Sequence, residues 1–213
     1  MYRFRSGAAA LALAVATLGA AGCSSTFEAT TLDATTGRFP ISQVLPPEAI
    51  KVDEAFPVND NRRLLLVRTN LGTLTQYEEY FEESMENIGF FQQVVRPDEF
   101  ERMLVQAGKA DGVSGTTGFA GLAQASRAWG PFLVADFNLT AGAGYQVDMV
   151  MTVYDPSTAR ELYKIDHGVT NWAGLDGVLF EPSFNAFIEW LERNSPTYPE
   201  DRAVPAASDD DED

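Results

Sequence analysis

Tyr145-Gln146-Val147-Asp148-Met149-Val150-Met151-Thr152-Val153-Tyr154-Asp155-Pro156-Ser157 alternates apolar and polar side chains and then breaks on a turn. Val147, Met149, Met151 and Val153 fall on one side, and Gln146, Asp148 and Thr152 on the other. That period of two belongs to a strand with one buried face. Upstream, residues 132–140 form another strand, joined through Ala141-Gly142-Ala143-Gly144, and residues 160–166 follow the turn as a third. Three successive strands with short connections predict an antiparallel meander.

The elements before and after the meander complete the fold. Leu64-Leu65-Leu66-Val67 is apolar on both faces and reads as a buried strand. Thr73 and Gln76 have the spacing of a capping box, and Leu74, Tyr77, Phe81, Met85 and Ile88 make a helical stripe that ends at Gly89. A strand is expected over residues 90–95. Asp98 is expected to cap a short helix carrying Phe100, Met103 and Leu104. Another helix is expected over residues 122–129, stopping at Gly130-Pro131. Pro182 suits the first turn of a last helix whose inner face holds Phe184, Phe187, Ile188 and Leu191. The order β-α-β-α-α-β-β-β-α predicts an α+β fold, with helices packed on a mixed, largely antiparallel sheet.

Both flanks read differently. Residues 1–22 form a leader: Arg3 and Arg5 precede an apolar run over 8–21 that is too short to span a bilayer. Residues 23–57 are rich in Ser, Thr, Ala and Pro and show no sustained period, so they read as a flexible tether, with room for one short strand near Ile50 to Val52. Residues 58–195 form the domain. Residues 196–213 carry three prolines and end in Asp209-Asp210-Asp211-Glu212-Asp213, the composition of a disordered acidic tail. Deleting either flank is therefore expected to cost the domain little stability.

Leu18-Gly19-Ala20-Ala21-Gly22-Cys23 closes the leader on the only cysteine of the chain. It resembles the lipobox of bacterial lipoproteins, with alanine at position 20 where leucine is usual. That resemblance implies cleavage before Cys23, acylation of Cys23 and attachment to a membrane through lipid. Ser24 in place of an aspartate implies the outer membrane. The order of elements resembles the α/β module shared by penicillin-binding-protein activator lipoproteins, the curli-secretion lipoprotein group and the amino-terminal domain of the Tol-system propeller protein. The residues that carry it are Phe90-Phe91-Gln92-Gln93-Val94-Val95, Pro97-Asp98 and the late hairpin around Val153-Tyr154-Asp155-Pro156-Ser157-Thr158. The module implies a non-enzymatic domain that binds an envelope protein, as an adaptor or activator. The alternative it implies is an accessory subunit of an envelope secretion or export complex.

Composition narrows the chemistry. The whole chain carries a net charge of −16, and loss of the leader removes two arginines, leaving −18. Such a surface argues against nucleic acid and against adhesion to anionic head groups. Acylation of Cys23 leaves no thiol, and His167 is the only histidine, so thiolate and His-pair metal sites are excluded and no metal or cofactor is expected. His167 is expected at the surface beside Asp166. Gly115, Gly118 and Gly121 follow a helix and lack a Gly-Lys-Ser/Thr sequence, so they read as a mobile loop, and no small-molecule ligand is expected. Thr116 stands where Ser114 would need a glycine for a hydrolase elbow. The terminal acidic run lacks the spaced ligands of a calcium loop.

Two features point to a partner. Glu78, Glu79, Glu82, Glu83 and Glu86 line the helix face opposite Phe81, either as a docking face for a basic protein or as a solvated face. Trp172 lies in the polar stretch after the last strand, either as core or as a binding hot spot. Glu78, Glu82, Glu86 and Trp172 are the candidate contacts.

Overall fold

The computed structural model describes residues 29–143, 146–170 and 176–198. The leader, Cys23, Trp172 and residues 199–213 lie outside them. Six strands form one sheet: β1 (Ile50–Asp53), β2 (Leu65–Asn70), β3 (Val94–Val95), β4 (Leu133–Ala141), β5 (Gln146–Asp155) and β6 (Arg160–Thr170). The helices are α1 (Glu78–Asn87), α2 (Pro97–Gln106), α3 (Phe119–Trp129) and α4 (Asp176–Asn194). The strand order is β1-β6-β5-β4-β2-β3, antiparallel from β1 to β4 and parallel from β4 to β3. The fold is the α+β arrangement that the sequence implies, and β1 forms where the sequence leaves room for a short strand near residues 50–52.

Alternation along the strands sorts the core into two layers. Leu65, Val67, Leu133, Ala135, Phe137, Met149, Met151, Val153, Tyr163 and Ile165 face α1 and α4. Leu66 and Val134 point the other way, towards Phe100 and Leu104 of α2 and Leu122 and Ala125 of α3. This is why the run around β2 is apolar on both faces. The first layer is aromatic: Phe81 stacks on Phe137 at 4.4 Å between centroids, and Phe180 and Phe184 approach Phe81 at 5.1 and 6.0 Å.

The tether boundary at residue 57 is corrected. Phe39 is 1% exposed and packs on Phe184 at 5.5 Å. Its N–H donates to Asn185 Oδ1 at 2.8 Å, and its carbonyl accepts from Asn185 Nδ2 at 3.1 Å. Arg38 makes a bidentate pair with Glu192, at 2.8 and 2.5 Å. Further on, β1 pairs with β6, and Trp190 Nε1 donates to the Glu54 carbonyl at 3.0 Å. The tail boundary also moves, because Tyr198 is fully buried and its hydroxyl donates to the Ile88 carbonyl at 3.0 Å. Isolated aromatic residues in polar, proline-rich sequence have no periodicity of their own, yet each finds a pocket on the helices.

Several local expectations are also corrected. No capping box forms, because a 3-10 turn at Thr75–Tyr77 delays α1 to Glu78. Asp98 does not cap α2, which starts one residue earlier at Pro97. It instead lies in the acid-favouring first turn and pairs with Arg102 at 3.0 Å. The strand expected over 90–95 pairs only at Val94 and Val95. Pro182 lies inside α4, not at its start, because the helix begins at Asp176.

The glycine-rich segment is a pinned strap and not a mobile loop. Thr116 is fully buried, with its N–H and hydroxyl both bonded to Glu101 Oε1 at 3.0 Å. Ser114 N–H donates to Gln124 Oε1 at 2.8 Å. Gly121 is required by a backbone approach, since a Cβ there would stand 2.0 Å from the Gly115 carbonyl oxygen.

Two substitutions test this packing by chemical denaturation. Gly121→Ala is expected to cost about 1–3 kcal/mol, as overpacking does. Phe39→Ala is expected to cost about 3–5 kcal/mol, as loss of a buried phenylalanine does. If Phe39→Ala costs nothing measurable, the arm is not part of the core.

Candidate partner-binding surface

The acidic face of α1 arises from helical geometry. Tyr80, Phe81, Ser84 and Met85 are committed to the core, so the glutamates between them turn outwards. They are not equivalent. Glu82 is largely covered and pairs with Arg96 Nε at 2.9 Å. Glu83 Oε2 accepts from the Ala29 N–H at 3.4 Å. Glu78 is half-buried, and Glu79 and Glu86 are exposed. Although Glu86 is exposed as a residue, partial cover of its carboxyl and then the charges of Glu83 and Glu99 push that carboxyl above its usual range. Burial also raises Glu82, against the Arg96 guanidinium, with Glu86, Glu99 and Asp98 adding to the rise. The acidic surface therefore continues from α1 onto the first turn of α2. This continuation was not legible from the sequence, because Asp98 and Glu99 belong to another helix. Glu78, Glu82 and Glu86 share one element, but Glu82 is engaged within the fold.

On the other side of the sheet lies a cleft of about 320 Å³ lined by Arg68, Thr69, Asn70, Pro97, Thr117, Asp136, Phe137 and Asn138. Arg68 and Asp136 face each other across the β2–β4 pair. Arg68 Nε donates to Asp136 Oδ1 at 2.5 Å, a second guanidinium nitrogen reaches Oδ2, and a third donates to the Thr117 carbonyl at 2.5 Å. That bond to Asp136 holds the guanidinium pKa up against its burial. The guanidinium also lies over the Phe119 ring, 5.8 Å from its centroid. With its carboxylate neutralised and its guanidinium occupied, this pair ties the strap to the sheet. A signal for it exists in the sequence: Leu64, Leu66, Arg68 and Val134, Asp136 share one parity in two strands.

His167 departs from the surface position expected of it. It stands opposite Met149 in the β5–β6 register, half-buried, and its Nε2 is buried with no hydrogen-bond partner among the described residues. Burial lowers its pKa. Among the described residues, no group of three or more His, Cys, Asp or Glu side chains is placed to hold a metal ion, and no helix is long and apolar enough to cross a membrane.

No family model matches this chain, and no curated protein matches it. Among solved structures it is similar to the LpoB C-terminal domain from Escherichia coli, at 17% identity over 53% of this chain and 85% of that one, TM-score 0.35. It is also similar to lipoprotein GNA1162 from Neisseria meningitidis, at 15% identity over 59% and 96%, TM-score 0.38. A third is the PelC dodecamer from Paraburkholderia phytofirmans, at 12% identity over 68% and 96%, TM-score 0.37. At such identities and TM-scores these likenesses say nothing of what this chain binds.

The neutral His167 ring contributes to stability at pH values above its unfolded pKa of 6.5, and that contribution shrinks as pH falls below it. Glu82 and Glu86, held above their usual range, act in the opposite sense as they take up protons. The melting temperature of the parent is therefore expected to drop more between pH 7.5 and 5.5 than that of His167→Gln. Equal drops contradict this placement of the ring.

Proposed function

We propose that this chain is a lipid-anchored protein of the bacterial cell envelope whose α/β domain binds an envelope protein and does no chemistry itself. The leader ending at Cys23 supports the anchor, and Ser24 supports the outer membrane. The observation that carries the binding role is the acidic surface from α1 to α2. Glu82, Glu83, Glu86, Asp98 and Glu99 lie close enough for their charges to act on one another: burial raises Glu82 and Glu86 first, and repulsion from these neighbours adds to it. Like charges at helical spacing cost the fold a few tenths of a kcal/mol each. A basic partner turns that cost into attraction. The partner is therefore a protein presenting lysine or arginine, steered to the surface by charge. Trp172 is the proposed second contact, a ring suited to anchoring at the centre of an interface.

Substitution at the anchor and at the acidic face gives separate tests. Cys23→Ala is expected to abolish labelling by a fatty-acid probe, and undiminished labelling contradicts the anchor. Joint Glu78→Lys and Glu86→Lys reversal spares the Glu82–Arg96 pair. It is expected to slow association with the captured partner by about tenfold or more at low salt and to leave dissociation nearly unchanged. Unchanged capture by a folded double variant reduces these glutamates to a solvated face.

A further inference from the structure

The arm that packs on the domain limits how far the domain can stand from the membrane. Ala29 and Leu32 pack against the core. Ala29 is bonded to Glu83, and Asn87 Nδ2 donates to the Thr30 carbonyl at 3.2 Å. The chain therefore joins the domain on the outer side of α1. Only residues 24–28 separate Ala29 from Cys23. Whatever their conformation, six residue steps span at most about 20 Å, at 3.3–3.6 Å per residue. A domain of this size is roughly 40 Å across, from a radius of gyration of about 15 Å. A 20 Å link cannot reach around such a body, so Ala29 cannot lie on its far side.

We infer that the α1 side is the membrane-facing surface of the domain, and that a partner taking its acidic face is met at the bilayer surface. This rests on the lipid-anchor reading of Cys23. The chemistry of the face sets the occupant. With a net charge of −18 on the processed chain, it repels anionic head groups and does not lie down on them. The gap of up to about 20 Å that the link allows admits a basic segment of another envelope protein next to the membrane. The α2 and α3 side, with the Arg68 cleft, points away from the bilayer.

Resonance energy transfer on the full lipidated protein in phosphatidylethanolamine/phosphatidylglycerol vesicles tests this. Once Cys23 is acylated, an introduced cysteine is the only free thiol. Donor dye is placed at Glu79→Cys on α1 or at Val105→Cys on α2, where the native side chain is 67% exposed. The acceptor is a head-group-labelled lipid. Layers stack about 10 Å apart, which puts Val105 roughly 20 Å farther out, so transfer from position 79 is expected to be about twofold higher or more. A 30-residue Gly-Ser insertion between Glu28 and Ala29, with an end-to-end distance of about 30 Å, is expected to lower transfer at position 79 and narrow the difference. Equal transfer at the two positions without the insertion overturns the proposal. So does an insertion that changes nothing. The mass of the purified chain separates the two failures: no acyl mass on Cys23 overturns the anchor reading itself, whereas an acylated chain with equal transfer overturns only the orientation.

Discussion

Phe184 is the side chain through which the separate pieces of this molecule are held together. It stands on α4 and lies within 6.2 Å, between ring centroids, of Phe81 on α1, Phe137 on β4 and Phe39 on the arm. Each buried ring contributes about 1.5–3 kcal/mol through the area it removes from water, and edge-to-face geometry adds to that. The consequence is mutual dependence. Helix α1 cannot leave without opening the pocket that receives the arm, and the arm cannot leave without exposing Phe39 and breaking the Arg38–Glu192 pair.

That dependence links the fold to its surface. Because α1 spends its apolar face on the aromatic layer, its glutamates have nowhere to go but outwards. Because α2 starts at Pro97 directly after β3, Asp98 and Glu99 come up beside them. The same α1 receives the start of the arm through Glu83 and Asn87. The start of the arm and the acidic face thus belong to one helix, so an anchor on Cys23 and a partner on that face, as proposed, would meet at the same part of the domain.

Strong periodicity made most of the fold legible from sequence. The alternation in β5, the two-faced apolar run at β2 and the stripe from Leu74 to Ile88 each describe burial that tertiary contacts only complete. What escaped was set by contacts distant in sequence. Phe39 and Tyr198 are single aromatics in prolyl and polar flanks, and neither belongs to a period. By sequence the strap over residues 113–118 reads as a mobile loop, because its glycines favour freedom. In the fold they serve close approach, with Gly121 packed on the Gly115 carbonyl. His167, at the expected strand end beside Asp166, reads as a surface residue, although alternation puts the two on opposite faces. Of the candidate contacts, the glutamates were legible as a helical face, but the engagement of Glu82 by Arg96 requires the turn between α1 and α2.

Hydrogen exchange on the purified protein, resolved to individual amides, examines the arm most directly. The Phe39 and Phe56 N–H groups donate to side chains of α4, at 2.8 and 2.7 Å, and the Glu54 N–H donates to the Leu162 carbonyl at 2.9 Å. An arm integral to the domain predicts slow exchange at these amides, opening together with β5 and β6. Exchange at the rate of an unstructured peptide across residues 39–57, with the strands still protected, would contradict it and restore a long tether.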